Sequence, residues 1–173
     1  MSIERPQADE FAPYYATYIN KVGNRDVLDT LAGQIDEYHS VLGVLDESKA
    51  LHRYAPGKWT VKEVVGHVID SERVFSYRAM RIARADVTPL PGYDENQFVA
   101  NASFNSRALA DLLGEFEHLR RGNMHLFASF NADEAARRGT ANKLPVSVRA
   151  IIYITAGHAA HHLGILRDKY LRE

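Results

Sequence analysis

Residues 147–166 read Ser147-Val-Arg-Ala-Ile-Ile-Tyr-Ile-Thr-Ala-Gly-His-Ala-Ala-His-His-Leu-Gly-Ile-Leu166 and contain the most apolar run of the chain. Apolar residues recur here at spacings of three and four, which is the period of a helix with one buried face. The serine at the start follows Pro145, as is common at a helix N-terminus. We therefore predict a helix that begins at Ser147 and continues to the end of the chain.

Three earlier segments show the same period. They run from about Arg25 to Leu45, from Thr60 to about Arg84, and from about Asn105 to Phe130. The second of them opens with Thr60-Val-Lys-Glu63, a capping box in which each of the two end side chains binds a free backbone amide. No stretch shows the sustained alternation of a strand. Each segment is about 20 residues or longer, or about 30 Å, which predicts an all-α four-helix bundle.

The connections between these helices differ in length. Between helices two and three, Thr88-Pro-Leu-Pro-Gly-Tyr-Asp94 forms a rigid turn segment. The residues that follow it, 95–102, can form a short helix, so we predict a bundle with one long crossover. Residues 1–20 lack a clean period, and we expect them to pack as an irregular or short helical arm. The whole chain, 1–173, is predicted to be a single domain.

The composition excludes several classes of protein. With 46% apolar and 25% charged residues, the 173-residue chain matches a soluble globular domain. It has no cysteine, which excludes disulfide frameworks, iron–sulfur sites and thiol nucleophiles, and leaves histidine and carboxylate as the strong metal ligands. A net charge of −1 with interspersed signs gives no basis for nucleic-acid binding. The acidic start and the short apolar runs favour a cytoplasmic protein without membrane contact.

Three histidines lie on faces that are expected to point into the bundle. His158 and His162 are four residues apart in the last helix, a spacing that brings two imidazoles within reach of one ion. His67 can supply a third imidazole if the second and fourth helices are adjacent and antiparallel. Such a site leaves a coordination position for water or substrate, as catalytic metal sites do. His161 could replace His162 or support it, and buried histidines bonded to backbone carbonyls remain the structural alternative.

Carboxylates near these histidines are candidates for a base or an orienting group. Asp70 and Glu72 come one turn after His67, and Asp94 and Glu95 lie in the crossover that can cover the bundle mouth. For Asp70 and Glu72, the simpler interpretation is a solvated helix face or a pairing with neighbouring arginines. Those arginines are Arg73, Arg78 and Arg81. The helices contain no Glu-x-x-His, which argues against a carboxylate-bridged di-iron centre.

These residues together resemble the DinB/YfiT-like family of metal-binding four-helix bundles. The resemblance covers nearly the whole chain and depends on three motifs. The motifs are Arg53-Tyr-Ala-Pro-Gly-Lys-Trp-Thr-Val-Lys-Glu-Val-Val-Gly-His67 with Asp70-Ser-Glu-Arg-Val-Phe75, Pro89-Leu-Pro-Gly-Tyr-Asp94, and Gly157-His-Ala-Ala-His-His-Leu-Gly164. The resemblance implies a histidine triad that binds a divalent metal, often nickel or zinc. The resemblance assigns this triad to His67, His158 and His162, and therefore selects His162 over His161.

The resemblance also frames the expected function. Members of this family resemble thiol S-transferases that use low-molecular-weight thiols, or metal-dependent hydrolases. A metal held by three imidazoles can activate either a thiol or a water. We therefore expect a metal-dependent enzyme with a small-molecule substrate, such as a low-molecular-weight thiol. The alternatives are a non-catalytic metal-binding module and a dimeric interaction module with structural histidines.

Overall fold

The computed structural model describes residues 2–171. The helices are α1 (Ala16–Val22), α2 (Val27–Leu42), α3 (Glu47–Ala50), α4 (Val61–Ala83), α5 (Glu95–Asn101), α6 (Leu109–Ala128), α7 (Ala132–Ala136) and α8 (Val148–Ile165), and the strands are β1 (Arg138–Ala141) and β2 (Leu144–Ser147). Short 3₁₀ turns at Ala8–Glu10, Pro13–Tyr15 and Phe104–Ser106, and a π-helical turn at Leu166–Tyr170, complete the regular structure. Met1 of the N-terminal arm and residues 172 and 173, where the fourth helix was expected to end, lie outside the described residues.

The predicted all-α four-helix bundle is confirmed, with α2, α4, α6 and α8 as its long helices. The start of α4 packs with Ala159 and Leu163 of α8, and the end of α4 packs with the start of α8. These two helices are therefore adjacent and antiparallel, as the histidine argument required. The long connection from α4 to α6 contains α5, which confirms the crossover.

Local sequence signals set the helix starts. Thr60 accepts from the amide of Glu63, and Glu63 accepts from the amide of Thr60, so the predicted capping box of α4 is present. Ser147 caps α8 by accepting from the amide of Ala150. Helix α6 continues through Gly122 and Asn123, two residues of low helix propensity. The buried Asn123 amide donates to a carboxylate inside the bundle, which offsets its low helix propensity.

A small antiparallel hairpin was not predicted. Strand β1 pairs with β2 from Arg138 opposite Ser147 to Ala141 opposite Leu144. Asn142 and Lys143 form the turn with φ values of 51° and 66°, the left-handed conformation that two-residue hairpin loops require. The amide of Asn142 donates to the carbonyl of Leu90 at 2.9 Å. The hairpin thereby attaches the crossover to the N-terminal end of α8.

A layer of polar side chains divides the core into two apolar clusters. One cluster contains the start of α2, the end of α4 and the start of α8, and the other contains the start of α4 and the end of α8. Each of the four long helices contributes buried polar residues between them. This polar layer consists of Gln34, His67, Ser71, Glu72, Arg120, Asn123, Thr155 and His158. Because buried polar groups need partners, the contacts within this layer decide how the helices align.

The N-terminal segment covers one side of the bundle. Helix α1 packs on α8 at Gly157, where an added Cβ atom would lie 2.0 Å from the carbonyl oxygen of Tyr18. This close approach places the Tyr18 ring against His158. Within residues 2–171, every helix is too short or too polar to cross a membrane.

Candidate metal centre

Three imidazole rings converge between α4 and α8. Nε2 of His158 lies 3.1 Å from Nε2 of His67 and 3.1 Å from Nε2 of His162. One ring nitrogen from each of the three residues lies within 4.8 Å of the other two. His158 and His162 come from successive turns of α8, and His67 comes from the second turn of α4. The structure thus brings together the three histidines that the resemblance selected.

Burial keeps all three rings neutral near pH 7. It lowers the pKa of His67 from 6.5 to about 4 and is the largest cause that lowers the pKa of His162 to about 2. The pKa of His158 is lowered well below 6.5, first by burial and then by the nearby imidazoles and the charge of Arg120. A neutral imidazole offers the lone pair that a metal ion needs. The triad is therefore in its ligand form at neutral pH.

The three nitrogens fit one cation better than they fit one another. A neutral imidazole has one N–H and one lone pair, so Nε2 of His158 can accept from only one of the two rings that face it. Ligand nitrogens at about 2.0–2.1 Å from a tetrahedral zinc ion are about 3.3 Å apart, close to the 3.1 Å observed. An all-imidazole donor set suits zinc, nickel, copper and iron. His67, His158 and His162 are thus a candidate site for a divalent metal.

Aromatic rings surround the triad. The ring centroid of Trp59 lies 4.8 Å from that of His67. Phe75 and Tyr18 each present a ring 5.5 Å from that of His158. These rings limit the access of water, and a low local dielectric strengthens any electrostatic interaction at the site.

A pair of hydroxyl groups approaches the other nitrogen of His67. Ser71 Oγ, one turn further along α4, lies 3.5 Å from His67 Nδ1, which is a long hydrogen bond. The same oxygen lies 2.8 Å from the hydroxyl of Tyr93 in the crossover. When Nδ1 donates to Ser71 Oγ, the Nε2 lone pair faces the triad. Ser71 and Tyr93 are therefore placed to position this ring.

Three of the other candidate residues lie outside the converging triad. Asp70 is half-buried and pairs with Arg73 at 3.5 Å. Asp94 caps α5, where it accepts from two backbone amides. His161 packs its ring 5.4 Å from that of Tyr18, and its nitrogens do not belong to the converging set of residues 2–171. In this structure Asp94 has a local folding role, Asp70 forms an ion pair on its own helix, and His161 lies beside His162.

For Glu72, the simpler interpretation of a solvated face or a neighbouring arginine partner is wrong. It does not face solvent or pair with an arginine of its own helix, since it is only 2% exposed and accepts from Nε and Nη2 of Arg120 at 2.7–3.0 Å. Asn123 donates to the same carboxylate. Arg120 also donates to Gln34, whose amide donates to the carbonyl of Ala156 beside the triad. This network connects the four long helices behind the site.

A cavity of about 180 Å³ opens beside His158. Its walls come from α4, the N-terminal segment, the crossover and the hairpin turn. They include Tyr14, Tyr15, Tyr18, Phe75, Arg78, Gly92, Tyr93, Glu95 and Asn142. Two of these residues had a signal in the sequence: Phe75 follows His67 and Ser71 on one face of α4, and Glu95 was a candidate base in the crossover. The other residues were not predicted, because they meet only through the packing of distant segments.

Residues 30–166 match the family model described as the DinB superfamily. The chain belongs to this superfamily. Among solved structures, this DinB protein is similar to YfiT from Bacillus subtilis, described as a probable metal-dependent hydrolase with an unusual four-helix bundle topology. The TM-score is 0.72 at 17% sequence identity, over 95% of this chain and 90% of that chain, so the likeness shows the shared fold. A search of curated proteins gives no match.

Proposed function

We propose that this DinB-superfamily protein is a metal-dependent enzyme that activates a small nucleophile, water or a thiol. His67, His158 and His162 would hold one divalent ion, with nickel and zinc as the favoured metals. The observation that carries the proposal is the convergence of three neutral Nε2 atoms beside an open cavity. When bound, such an ion supplies Lewis acidity that lowers the pKa of a water or thiol in contact with it.

The residues of the chain would divide the remaining tasks. Trp59 and Phe75 shield two of the imidazoles from bulk water. Ser71 and Tyr93 hold the tautomer of His67. Glu95 lines the cavity that His158 borders, and its carboxylate would accept the proton that the nucleophile releases.

Metal analysis tests the triad directly. We expect about one ion per chain in the wild type and a large loss in His158→Ala. The matched control is His161→Ala, which removes a neighbouring imidazole outside the converging set and should keep the ion. Far-UV circular dichroism establishes that each variant is folded. Equal metal content in the wild type and in folded His158→Ala would contradict the proposal.

A substrate screen separates the two nucleophiles. The description of YfiT as a probable hydrolase supports water, and the family resemblance supports a thiol. Metal-loaded protein would be incubated with amide and ester substrates, and separately with several low-molecular-weight thiols and a generic electrophile. Ester or amide cleavage identifies a hydrolase, whereas thiol consumption without cleavage identifies a transferase. No turnover in either screen, with metal bound, would favour the non-catalytic alternative.

The position of the triad gives that alternative a physical basis. The site lies in the polar layer and connects α4 to α8, so a bound ion would also stabilise the fold by mass action. Chelation measures this contribution. A melting temperature that stays within a few degrees after chelation supports catalysis as the role of the site, and a collapse of helical content supports a structural role.

A further inference from the structure

Arg78 differs from the other buried cations of the protein. Its side chain is only 6% exposed. The two other deeply buried cations have carboxylate partners, since Lys62 pairs with Glu47 and Arg120 pairs with Glu72. Within residues 2–171, Arg78 has no carboxylate within ion-pair distance.

The same contrast holds along α4. Arg73 pairs with Asp70 and Glu115, and Arg81 pairs with Asp86. In the sequence, Arg78 was one of three arginines that could pair with Asp70 or Glu72, but neither carboxylate pairs with it. A buried charge without a counter-ion is costly, so the position needs an explanation beyond packing.

The contacts that Arg78 does make compensate its charge only weakly. Its Nη2 donates to the carbonyl of Pro91 at 2.6 Å, and its guanidinium lies 6.0 Å from the ring of Tyr93. A neutral side-chain amide could donate a hydrogen bond to the Pro91 carbonyl without the cost of desolvating a cation. These two contacts hold the guanidinium in place against the crossover, and it forms part of the wall of the cavity beside His158.

The remaining donors of Arg78 point to an anion. Arginine carries five N–H donors in a planar fork that matches two oxygens of one oxyanion. Every side-chain nitrogen of residues 2–171 that is closed off from solvent has a partner, so the unbonded nitrogens of Arg78 are accessible. Of three pockets that Arg78 borders, the cavity beside His158 has the most polar walls. Tyr15 and Tyr93 line the same cavity, and a phenol hydroxyl can donate to an anion.

The cavity limits the size of that ligand. Its volume of about 180 Å³ is below the about 300–1,000 Å³ of pockets for drug-sized ligands. Arg78 follows His67 by eleven residues, about 16 Å along the helix axis, and helical side chains lean back toward the N-terminus. An elongated small molecule can therefore contact Arg78 with one end and the triad with the other.

We propose that Arg78 binds the carboxylate of a small acidic substrate whose reacting group extends to His67, His158 and His162. The position of the reacting group depends on the proposed function, whereas the carboxylate site depends only on Arg78 and the cavity. Glu95, at the rim of the same cavity, would discourage ligands of higher negative charge by repulsion. This favours a monocarboxylate over a phosphate monoester.

Binding of simple probes tests the carboxylate site apart from catalysis. Calorimetric titration of the full chain, after chelation of metal, would compare pentanoate with pentanamide, which has nearly the same shape but no charge. We expect pentanoate to bind at least about 10-fold more tightly, as for hydrogen bonds to a charged group. Equal affinity for the two probes would overturn the proposal. Tighter binding of pentyl phosphate than of pentanoate would overturn the choice of a carboxylate.

Matched variants locate the effect. Arg78→Gln keeps a donor for Pro91 and should abolish the preference for the acid, whereas Arg81→Gln on the same helix should keep it. Arg78→Lys retains the charge without the planar guanidinium and should keep part of the preference for pentanoate. This variant still tests the proposal if Arg78→Gln does not fold. An unchanged preference in folded Arg78→Gln would refute the assignment.

A triad variant separates this proposal from the proposed function. His158→Ala should lose the metal and still prefer pentanoate over pentanamide. If the wild type shows this preference but binds no metal, the proposed function fails and the carboxylate site stands. If metal binds and the preference is absent, the carboxylate site fails and the proposed function stands.

Discussion

The buried pair of Arg120 and Glu72 gives the sharpest test of what holds this bundle together. Replacing Glu72 by methionine keeps a side chain of similar length and removes both acceptor oxygens. Nε and Nη2 of Arg120 and the amide of Asn123 then lose their partner inside the protein. The side chain of Arg120 has no solvent exposure, so water cannot replace the lost bonds without a rearrangement of the core.

The expected cost is large for a protein of this size. Breaking a buried ion pair by removing one partner costs about 3–5 kcal/mol, because a charge stays buried without compensation. Domains have a free energy of unfolding of about 5–15 kcal/mol. For a chain of about 150–250 residues, each kcal/mol corresponds to about 2–4 °C. We expect Glu72→Met to lower the melting temperature by about 6–20 °C.

A double variant provides the control. Glu72→Met with Arg120→Met removes both charges and leaves Gln34, Asn123 and the carbonyl of Leu31 each without one hydrogen-bond partner. Apolar replacement of a whole buried pair is often close to neutral, so the double variant should be more stable than Glu72→Met alone. Thermal unfolding followed by far-UV circular dichroism measures both variants. A melting temperature of Glu72→Met within about 2 °C of wild type, or a double variant no more stable than Glu72→Met, would refute this reasoning.

Three further predictions concern packing and pH. Gly157→Ala should destabilise the fold and shift the fluorescence of the tyrosine-rich N-terminal segment, since the new methyl group overlaps the Tyr18 carbonyl. Burial alone would raise the pKa of Glu10, but hydrogen bonds from Arg149 and Ser147 lower it from 4.5 to about 2. The ionised carboxylate should therefore add about 3 kcal/mol to the free energy of unfolding above pH 4.5, and this contribution should fade toward pH 2. Urea unfolding of the wild type and of Glu10→Gln measures it. In metal-free protein, the pKa of His67 falls from 6.5 unfolded to about 4 folded, so unfolding takes up protons and the free energy of unfolding should drop as the pH falls from 6.5 to 4. His67→Gln should flatten that drop in the same measurement.

The long helices could be predicted because their signals are local. The capping box of Thr60 and Glu63 and the serine cap of α8 lie within four residues of the amides they bind. Periodicity then fixed which faces of α4 and α8 are buried, and so which histidines point inward. The adjacency of α4 and α8 was an assumption. It is correct, because each of the two apolar clusters joins one end of α4 to the opposite end of α8.

The hairpin and the pairing of Glu72 with Arg120 could not be predicted from local sequence signals. Strand β1 contains Gly139 and β2 contains Pro145, and both residues argue against a strand in isolation. The hairpin is stabilised instead by the bond between Asn142 and the crossover. Arg120 lies 48 residues from Glu72, beyond the reach of any local pattern. Its burial depends on partners from two other helices at once, α2 and α4.

The cavity is formed largely by segments that, in the sequence, only connect the long helices or precede them. The rigid turn before α5 holds Pro91 and Tyr93 against Arg78, and the hairpin fastens that turn through Leu90. Helix α1 adds Tyr18 from the opposite side. The bundle therefore fixes the imidazoles, while the crossover, the hairpin and the N-terminal segment shape what reaches them. Since rigid scaffolds commonly carry specificity on such segments, relatives with the same triad and a different crossover should differ in substrate before they differ in metal.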